Sequence, residues 1–300
     1  MTGAAGAPGL VVGAHGRHFM VEAADGTRVL CHPRGKKSDC VVGDRVAWQP
    51  AGDEGVIERI EPRRNLLFRQ DEVRSKSFAA NLDQLLVLVA VEPMYSESQI
   101  SRALIAADAA GIPSLIVLNK VDLAGVDAAR ERLAPYRAMG VAVVELSLKA
   151  AGDAAVATLA PLFAGKATLV LGPSGMGKST LINRMVPSAA AQVGEISQAL
   201  NTGRHTTTTT TWYWLDAERT SALIDSPGFQ NFGLRQIDAA ALPQHMPDLR
   251  AHAGDCRFYN CTHLHEPGCG VRDALERGEI SPSRYRIYQE LHEELSATRY

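Results

Sequence analysis

The sequence has no excess charge of one sign, few cysteines and no apolar run long enough to span a membrane. Its 31 lysines and arginines against 33 aspartates and glutamates give a formal net charge of −2, so contacts with nucleic acid need local basic patches. The most apolar stretch, residues 82–91, is too short to cross a bilayer. Residues 1–9 lack the basic start and apolar core of a signal peptide and predict a flexible tail. We expect a cytoplasmic monomer without membrane contact.

The five cysteines are odd in number and three lie close together late in the chain, which favours a metal site over disulfides. Cys256, Cys261, His263 and Cys269 form the pattern C-x4-C-x-H-x5-C. Three thiolates and one imidazole are a tetrahedral set for Zn²⁺ that leaves no open position, so we expect one structural zinc ion. His265 is an alternative to His263, and unligated cysteines in a small core are the alternative to a metal.

Residues 172–179 read G-x-x-x-x-G-K-S, the complete pattern of a phosphate-binding P-loop. An apolar run typical of a buried strand precedes the motif, and a run that suits a helix follows it. Glycines let backbone N–H groups turn toward phosphates, Lys178 is expected to reach the β- and γ-phosphates, and Ser179 is expected to hold Mg²⁺. A glycine turn that matches by chance is the alternative. The expected phosphate-binding residues are Gly172, Pro173, Ser174, Gly175, Met176, Gly177, Lys178, Ser179 and Thr180.

Two further motifs follow predicted strands and indicate the base. Asn119, Lys120 and Asp122 belong to the sequence NKVD. A carboxylate there can accept hydrogen bonds from N1–H and the 2-amino group of guanine, a donor pair that adenine lacks. Asp225 and Gly228 belong to DSPG, where the carboxylate is expected in the Mg²⁺ shell and the glycine N–H on the γ-phosphate. Each motif is weak alone, and together with the P-loop they predict a site for GTP with Mg²⁺.

The order of the motifs is unusual, because NKVD precedes the P-loop and DSPG follows it. Ser147 and Lys149, after a predicted strand at 141–146, fall where a second guanine-contacting loop is expected. The order therefore predicts a circularly permuted GTPase domain, which is physically tolerable when the original termini lie close together. Strands and helices alternate around the motifs, as in α/β folds whose ligands bind at the carboxyl ends of parallel strands.

The regions on either side differ from this α/β pattern. Residues 10–62 contain five short strand-like runs separated by turn signals, which predicts an N-terminal β-barrel of the OB-fold type. We place the permuted GTPase domain at 63–233 and a small, mainly helical zinc-binding domain at 234–300. The basic loop at 34–37 is a phosphate contact or a solvated loop, and Trp48 is favoured as a core residue over a stacking platform. The C-terminal arginines that are either phosphate contacts or solvated surface are Arg250, Arg257, Arg272, Arg277, Arg284 and Arg286.

Residues 192–211 are the expected first switch segment. Thr207 is favoured over Thr206 as the hydroxyl that completes Mg²⁺ coordination when GTP is bound. Phe229 follows the DSPG glycine and cannot orient the attacking water as the glutamine of Ras-like enzymes does. His205 is the candidate for that catalytic role, and a polar loop residue is the alternative. Intrinsic hydrolysis is then expected to be slow, as in a switch.

The combination of NKVD, GPSGMGKS, GRHTTT, DSPG followed by FG, and the cysteine–histidine cluster resembles one family closely. It is the circularly permuted GTPases that act in maturation of the bacterial small ribosomal subunit (ribosome-small-subunit-dependent GTPase A), and the resemblance covers nearly the whole chain. It implies an OB-fold, a permuted G domain and a zinc domain. It also implies GTP and GDP as ligands, the 30S subunit and its 16S rRNA as partners, GTP hydrolysis stimulated by that subunit, release of an assembly factor, and His205 as the catalytic histidine. Leu148 departs from the pattern, in which alanine is usual.

Two other functions stay open on the sequence. A P-loop ATPase or nucleotide kinase would also need residues 172–179, although NKVD argues against it. A non-catalytic RNA-binding module with GTP as a structural ligand is compatible with Phe229.

Overall fold

A closed β-barrel forms the N-terminal part of the chain, in a computed structural model that describes residues 6–35, 39–70, 75–189, 210–226 and 234–297. Its strands are β1 (Ala7–His15), β2 (His18–Ala23), β3 (Arg28–Pro33), β4 (Arg45–Ala51) and β5 (Glu54–Ile60). They follow the order β1-β2-β3-β5-β4, and β4 pairs with β1 to close the barrel. The predicted five-stranded barrel is confirmed.

The first strand begins earlier than the sequence predicts. Residues 7–9, expected in the flexible tail, pair with β4, where Ala7 lies opposite Trp48. Gly9 allows a close approach, since a Cβ there would lie 2.4 Å from a Val21 methyl group and 2.9 Å from the Trp48 ring. The prediction of a tail is therefore wrong for these residues, because small residues that look featureless in sequence are needed to close the barrel. Trp48 is 7% exposed, as expected for a core residue.

A two-stranded hairpin follows the barrel and was not predicted. It consists of β6 (Leu66–Gln70) and β7 (Ser75–Ala80), which pair antiparallel in a sheet of their own. Leu67 and Phe78 are buried. The sequence predicts a linker with a basic bias here, from Arg63, Arg64, Arg69, Arg74 and Lys76. The hairpin has too few apolar positions between these charges to give a strand pattern.

Five parallel strands form the centre of the α/β domain. They are β8 (Gln84–Ala90), β9 (Ser114–Asn119), β10 (Ala142–Glu145), β11 (Ala167–Leu171) and β13 (Ala222–Asp225), in the order β10-β9-β8-β11-β13. Every residue of β8 and β11 is buried, as expected for apolar strands covered on both faces. The helices between them are α1 (Glu97–Ala109), α2 (Val126–Ala138), α3 (Gly152–Phe163) and α4 (Lys178–Met185).

The sequence predicts a helix over residues 153–163 with Asp153 at its N-cap, whereas helix α3 begins one residue earlier, at Gly152. Its N-cap is Ala151, and Asp153 lies in the first turn and caps no backbone group. A carboxylate in the first turn still favours the helix, because it opposes the partial positive charge at that end.

Strand β12 (Thr210–Trp214) joins the α/β domain to the barrel. It pairs antiparallel with β13 on one side and with β1 on the other, so that one sheet of eleven strands runs through the described residues. Thr211 lies opposite both Asp225 and Gly13. Asp225, Thr211 and Gly13 therefore form one row across three strands, from the nucleotide side of the α/β domain to the barrel.

The C-terminal segment is helical, as predicted. It contains a 3₁₀ helix (Ala239–His245), α5 (Pro247–Ala253), α6 (Gly270–Glu276) and α7 (Pro282–Ala297). Helix α5 was not predicted. Arg284 of α7 is only 2% exposed and lies between α5 and the α/β domain, so neither a phosphate contact nor a solvated position describes it. Among the described helices, none combines the length and the apolar character that a membrane span requires.

Candidate functional site

A cavity of about 610 Å³ opens at the carboxyl ends of the parallel strands. This is the edge at which doubly wound folds bind their ligands, and the volume lies within the range of small-molecule sites. The residues that line it are Asn119, Lys120, Asp122, Leu123, Leu148, Lys149, Pro173, Ser174, Gly175, Gly177, Lys178, Ser179, Thr180, Asp225 and Ser226. NKVD, the second guanine loop, the P-loop and the start of DSPG thus meet at one place.

The P-loop has the geometry of a phosphate cradle. Gly175 and Gly177 have backbone φ angles of 81° and 108°, which residues other than glycine rarely adopt. A Cβ on Gly177 would lie 2.4 Å from the Asn119 side-chain nitrogen, and one on Gly172 would lie 2.4 Å from the Leu88 carbonyl oxygen. Helix α4 starts at Lys178, so its unpaired N–H groups and the positive end of its dipole face the cavity. The loop therefore suits an anionic ligand.

Lys178 and Asp225 place opposite charges in the cavity. The Lys178 Nζ donates to the carbonyl oxygen of Gly172 at 2.6 Å, and burial lowers the pKa of this lysine while Asp225 acts against that effect. Within the described residues, the Asp225 Oδ1 is buried and accepts no hydrogen bond. Burial raises the pKa of Asp225 to about 6, against the opposing effect of Lys178. A buried carboxylate oxygen without a donor, beside the exposed Ser179, fits a hard divalent cation such as Mg²⁺.

Asn119 ties three loops together on the opposite side of the cavity. Its side-chain nitrogen donates to the Met176 carbonyl oxygen at 2.8 Å, and its side-chain oxygen accepts from the Leu148 N–H at 3.0 Å. The Ser147 hydroxyl oxygen accepts from the Asp122 N–H at 3.1 Å. The first guanine loop, the second guanine loop and the P-loop are therefore held in a fixed relation. Leu148 stands where alanine is usual in the family that the motifs resemble. The hydrogen bond to Asn119 does not depend on that difference, because it uses the backbone N–H of Leu148.

Lys120 forms a second connection across the cavity wall. Its Nζ donates to the carbonyl oxygens of Glu92 and Gly175, at 2.6 and 2.9 Å. Glu92, at the end of β8, and Leu123, which lines the cavity, were not predicted as site residues. The position of Leu123 directly after NKVD could have indicated it, whereas the Glu92 contact uses only a carbonyl oxygen and leaves no signal in the sequence.

The remaining predicted residues divide into two groups. Ser147, Gly172 and Met176 do not line the cavity; Ser147 and Met176 are buried behind its wall, and Gly172 packs on β8. His205, Thr206, Thr207, Gly228 and Phe229 lie outside the described residues, so their roles stay predictions.

Cys256, Cys261, His263 and Cys269 come together in the C-terminal segment, with their ligand atoms within 4.8 Å of one another. The Cys256 and Cys269 sulfurs are 3.9 Å apart, and these sulfurs lie 3.3 and 3.5 Å from the His263 Nδ1. A tetrahedral zinc site with ordinary bond lengths has edges of about 3.8 Å between sulfurs and about 3.6 Å between sulfur and nitrogen. The distances among Cys256, Cys269 and His263 are therefore close to those of a four-coordinate metal site, and Cys261 lies near enough to be its fourth ligand.

The loop that carries His263 is fixed by side chains around it. Tyr285 of α7 donates its hydroxyl to the His263 carbonyl oxygen at 2.6 Å, and the Glu266 carboxylate accepts from the N–H groups of Thr262 and Leu264. His263 is 5% exposed, whereas His265 is exposed. The geometry thus favours His263 over the alternative His265 as the fourth member.

Comparison with known proteins identifies the family. The model of the RsgA GTPase family matches residues 60–235. The chain belongs to the RsgA GTPase family. A relative from Variovorax paradoxus (strain S110), named small ribosomal subunit biogenesis GTPase RsgA, is 62% identical and the match covers 97% of this chain and 93% of the relative. A protein of the same name from Burkholderia pseudomallei (strain K96243) is 55% identical, with the same coverage.

Solved structures agree with this family. YjeQ from Thermotoga maritima is 31% identical, with a TM-score of 0.72 and coverage of 98% of this chain and 99% of YjeQ. YloQ, described as a circularly permuted GTPase, is 27% identical, with a TM-score of 0.71 and coverage of 98% and 96%. The resemblance stated from the motifs is confirmed, as are the permuted fold and the assignment of the chain to the GTP hydrolases.

Proposed function

We propose that this chain is a GTP-hydrolysing switch in assembly of the small ribosomal subunit, slow by itself and stimulated by that subunit. The observation that carries the proposal is the interlock of the two guanine loops with the P-loop through Asn119. An ATP site needs no such loop at this position. The small ribosomal subunit is proposed as the partner because the relatives are named small ribosomal subunit biogenesis GTPase RsgA.

The guanine side of the cavity selects the base. Asp122 is exposed where it lines the cavity, and its carboxylate accepts the N1–H and 2-amino groups of guanine. Asn119 and Ser147 act by holding the loops, and Lys149 covers the base from the second guanine loop. Adenine lacks this donor pair and would leave the Asp122 carboxylate without a hydrogen-bond donor, which is the physical basis of discrimination against adenine.

The phosphate side holds the reacting end of the nucleotide. The backbone of residues 172–179 and Lys178 bind the β- and γ-phosphates, and Thr180 extends this contact at the start of α4. Ser179, Asp225 and Thr207 hold Mg²⁺, which neutralises charge on the phosphates when bound. The Gly228 N–H binds the γ-phosphate, and His205 orients the attacking water. Thr207, Gly228 and His205 lie outside the described residues, and their assignments rest on the motifs GRHTTT and DSPG.

The nucleotide state acts on the rest of the chain through two switch segments, the first at residues 192–211 and the second at residues 225–233. The first switch continues into β12, which pairs with β1 of the barrel, and the second continues into the C-terminal segment. We assign residues 10–62 to the barrel, 63–233 to the GTPase domain and 234–300 to the zinc domain. GTP orders both switches, so that barrel and zinc domain contact 16S rRNA together, and hydrolysis to GDP releases the subunit and an assembly factor. A cytoplasmic monomer is expected for this role.

The Cys256, Cys261, His263 and Cys269 cluster holds one structural Zn²⁺. Thiolates favour zinc over harder cations, and a closed set of four ligands leaves no position for a substrate. The small helical segment has little core of its own, so the metal contributes to its folding. Metal analysis of protein purified without chelator is expected to find zinc bound by wild type and lost in Cys269→Ser. Wild-type protein free of zinc would contradict the assignment.

Steady-state GTP turnover tests the function most simply. We would measure it for the protein alone, with purified small subunits, and with large subunits and ATP as controls. Strong stimulation by small subunits alone supports the proposal. Tight GTP binding without stimulation would favour the non-catalytic RNA-binding module, and equal use of ATP would favour a P-loop ATPase or kinase. His205→Ala is expected to lower turnover while nucleotide affinity stays nearly intact, whereas a large loss of affinity would indicate a structural role.

A further inference from the structure

The tip of the metal-binding loop carries two adjacent exposed aromatic side chains. The tip, residues 257–260, lies between Cys256 and Cys261, and all four of its residues are exposed. The relative exposure of Tyr259 is 103% and that of Phe258 is 41%. Single exposed apolar side chains are ordinary on protein surfaces, but here two exposed aromatic residues are consecutive in one loop, between the exposed Arg257 and Asn260.

The tip is held rigidly at both ends. The Arg257 N–H donates to the Gly268 carbonyl oxygen at 2.8 Å, and the Cys261 N–H donates to the Phe258 carbonyl oxygen at 3.2 Å, which closes a turn. The flanking Cys256 and Cys261 belong to the metal cluster. A partner that contacts Tyr259 therefore does not have to order the loop, and a tyrosine ring has few rotatable bonds to fix.

The charge next to the rings is positive. The Arg257 guanidinium lies 5.5 Å from the centre of the Phe258 ring, and it forms no ion pair with any residue in the described ranges. Glu266, an acidic group of the same loop, is turned inward, because its carboxylate accepts from backbone N–H groups of Thr262, Leu264 and His265. The tip thus combines flat rings, an available guanidinium and an amide.

We infer that residues 257–260 bind an unpaired base of single-stranded RNA, with Tyr259 as the stacking surface. Phe258 supports the stack, the Arg257 guanidinium binds a neighbouring phosphate, and the Asn260 amide binds a base edge. Every base presents a flat face to an aromatic ring, and stacking of one base strengthens binding by about 10-fold or more. A protein partner fits less well, because burial of Tyr259 against apolar side chains would also desolvate Arg257 and Asn260. The inference rests on the proposed function for the source of the RNA, the small subunit.

The test compares variants that differ only in the ring. Tyr259→Ala removes the stacking surface, and Tyr259→Phe, which keeps the ring, is the matched control. Residue 259 is fully exposed, so neither change is expected to alter folding or basal GTP turnover. We expect Tyr259→Ala to weaken binding to small subunits about 10-fold, from the energy of one stacked base, and Tyr259→Phe to bind like wild type. Arg257→Ala is expected to weaken binding and to reduce its dependence on salt.

A second measurement separates this inference from the proposed function. Binding of the same variants to a short unstructured RNA strand and to an RNA duplex is measured without ribosomes. We expect the strand to bind wild type and Tyr259→Phe better than Tyr259→Ala, and the duplex not to distinguish them. Wild type that fails to bind small subunits but shows this pattern overturns the proposed function alone. Tyr259→Ala that binds both the subunit and the strand like wild type overturns the inference alone. Loss of subunit binding with unchanged strand binding would show a protein contact and also overturn it.

Discussion

The barrel and the C-terminal segment are attached to the α/β domain in different ways. The barrel is joined through backbone pairing, because β12 lies between β13 and β1 in one sheet. The C-terminal segment is joined through side chains. Arg284 pairs with Asp248 at 2.7 Å, donates to the Ser101 hydroxyl at 2.6 Å and lies 5.4 Å from the centre of the Tyr136 ring.

The two junctions also differ in what lies next to them. Thr211, in the row that reaches the barrel, is opposite Asp225 at the phosphate end of the cavity. Ser101 and Tyr136 lie on helices α1 and α2, and neither of them lines the cavity. We propose that the barrel junction follows the state of the nucleotide, whereas the Arg284 contacts hold the C-terminal segment to the helices.

The largest effect is expected from Arg284→Met. This change leaves the buried Asp248 carboxylate without its partner, and loss of one member of a buried ion pair costs about 3–5 kcal/mol. The free energy of unfolding in urea measures it. Arg286→Met is the control, because Arg286 lies on the same helix and is 71% exposed. The double variant Arg284→Met with Asp248→Leu is expected to recover most of the loss, and a double variant as unstable as the single one would contradict a charge-based role.

The features of the fold and the site that could be predicted from the sequence are those that short local motifs determine. GPSGMGKS and NKVD impose their own backbone geometry, so the cavity and its phosphate side could be predicted, and the cysteine spacing indicated the cluster. The pairing of β1 with β12 joins residues far apart in the chain and has no local signal. Arg284 looks like any surface arginine in sequence, and only packing against Ser101 and Asp248 makes it a buried connection.

A smaller loss is expected from Arg63→Met, in the segment that follows the last strand of the barrel. Arg63 donates to both carboxylate oxygens of the fully buried Asp44, at 2.7 and 2.9 Å, and these bonds raise the pKa of the guanidinium. The Val41 N–H still binds Asp44 in the variant, so we expect a loss of about 2–3 kcal/mol. Thermal unfolding measures it, with the exposed pair variant Arg59→Met as control. Equal stability of the two variants would mean that the Arg63 contact does not hold the barrel.

A gain in stability is expected from Asp225→Asn when nucleotide and metal are absent. The Oδ1 atom of the wild-type carboxylate is buried without a hydrogen-bond donor among the described residues, and burial raises the pKa of Asp225 to about 6 against the opposing effects of Lys178 and the Ser226 N–H. Its ionised form therefore destabilises the folded state above that pH, and removal of the charge is expected to add about 1–2 kcal/mol at neutral pH. The difference is complete above about pH 6 and should shrink as the pH falls toward 3.8, the ordinary pKa of the group, below which the wild-type group is neutral in both states.

Urea unfolding with chelator, as a function of pH, measures this difference. The same variant is expected to bind GTP with Mg²⁺ more weakly, because it has lost a metal ligand. A stability gain that is the same at all pH values would show that the charge is not its cause.

Hydrogen exchange of the backbone amides tests the central claim most directly. The amides of Gly13, Ala14, Thr210 and Thr211 are compared with GDP and with a non-hydrolysable GTP analogue bound. If the barrel follows the nucleotide through the pairing of β1 and β12, these amides exchange more slowly in the GTP-like state, while amides of β3 and β5 far from the junction do not change. Identical exchange of the four amides in both states, with nucleotide binding verified, would contradict the account.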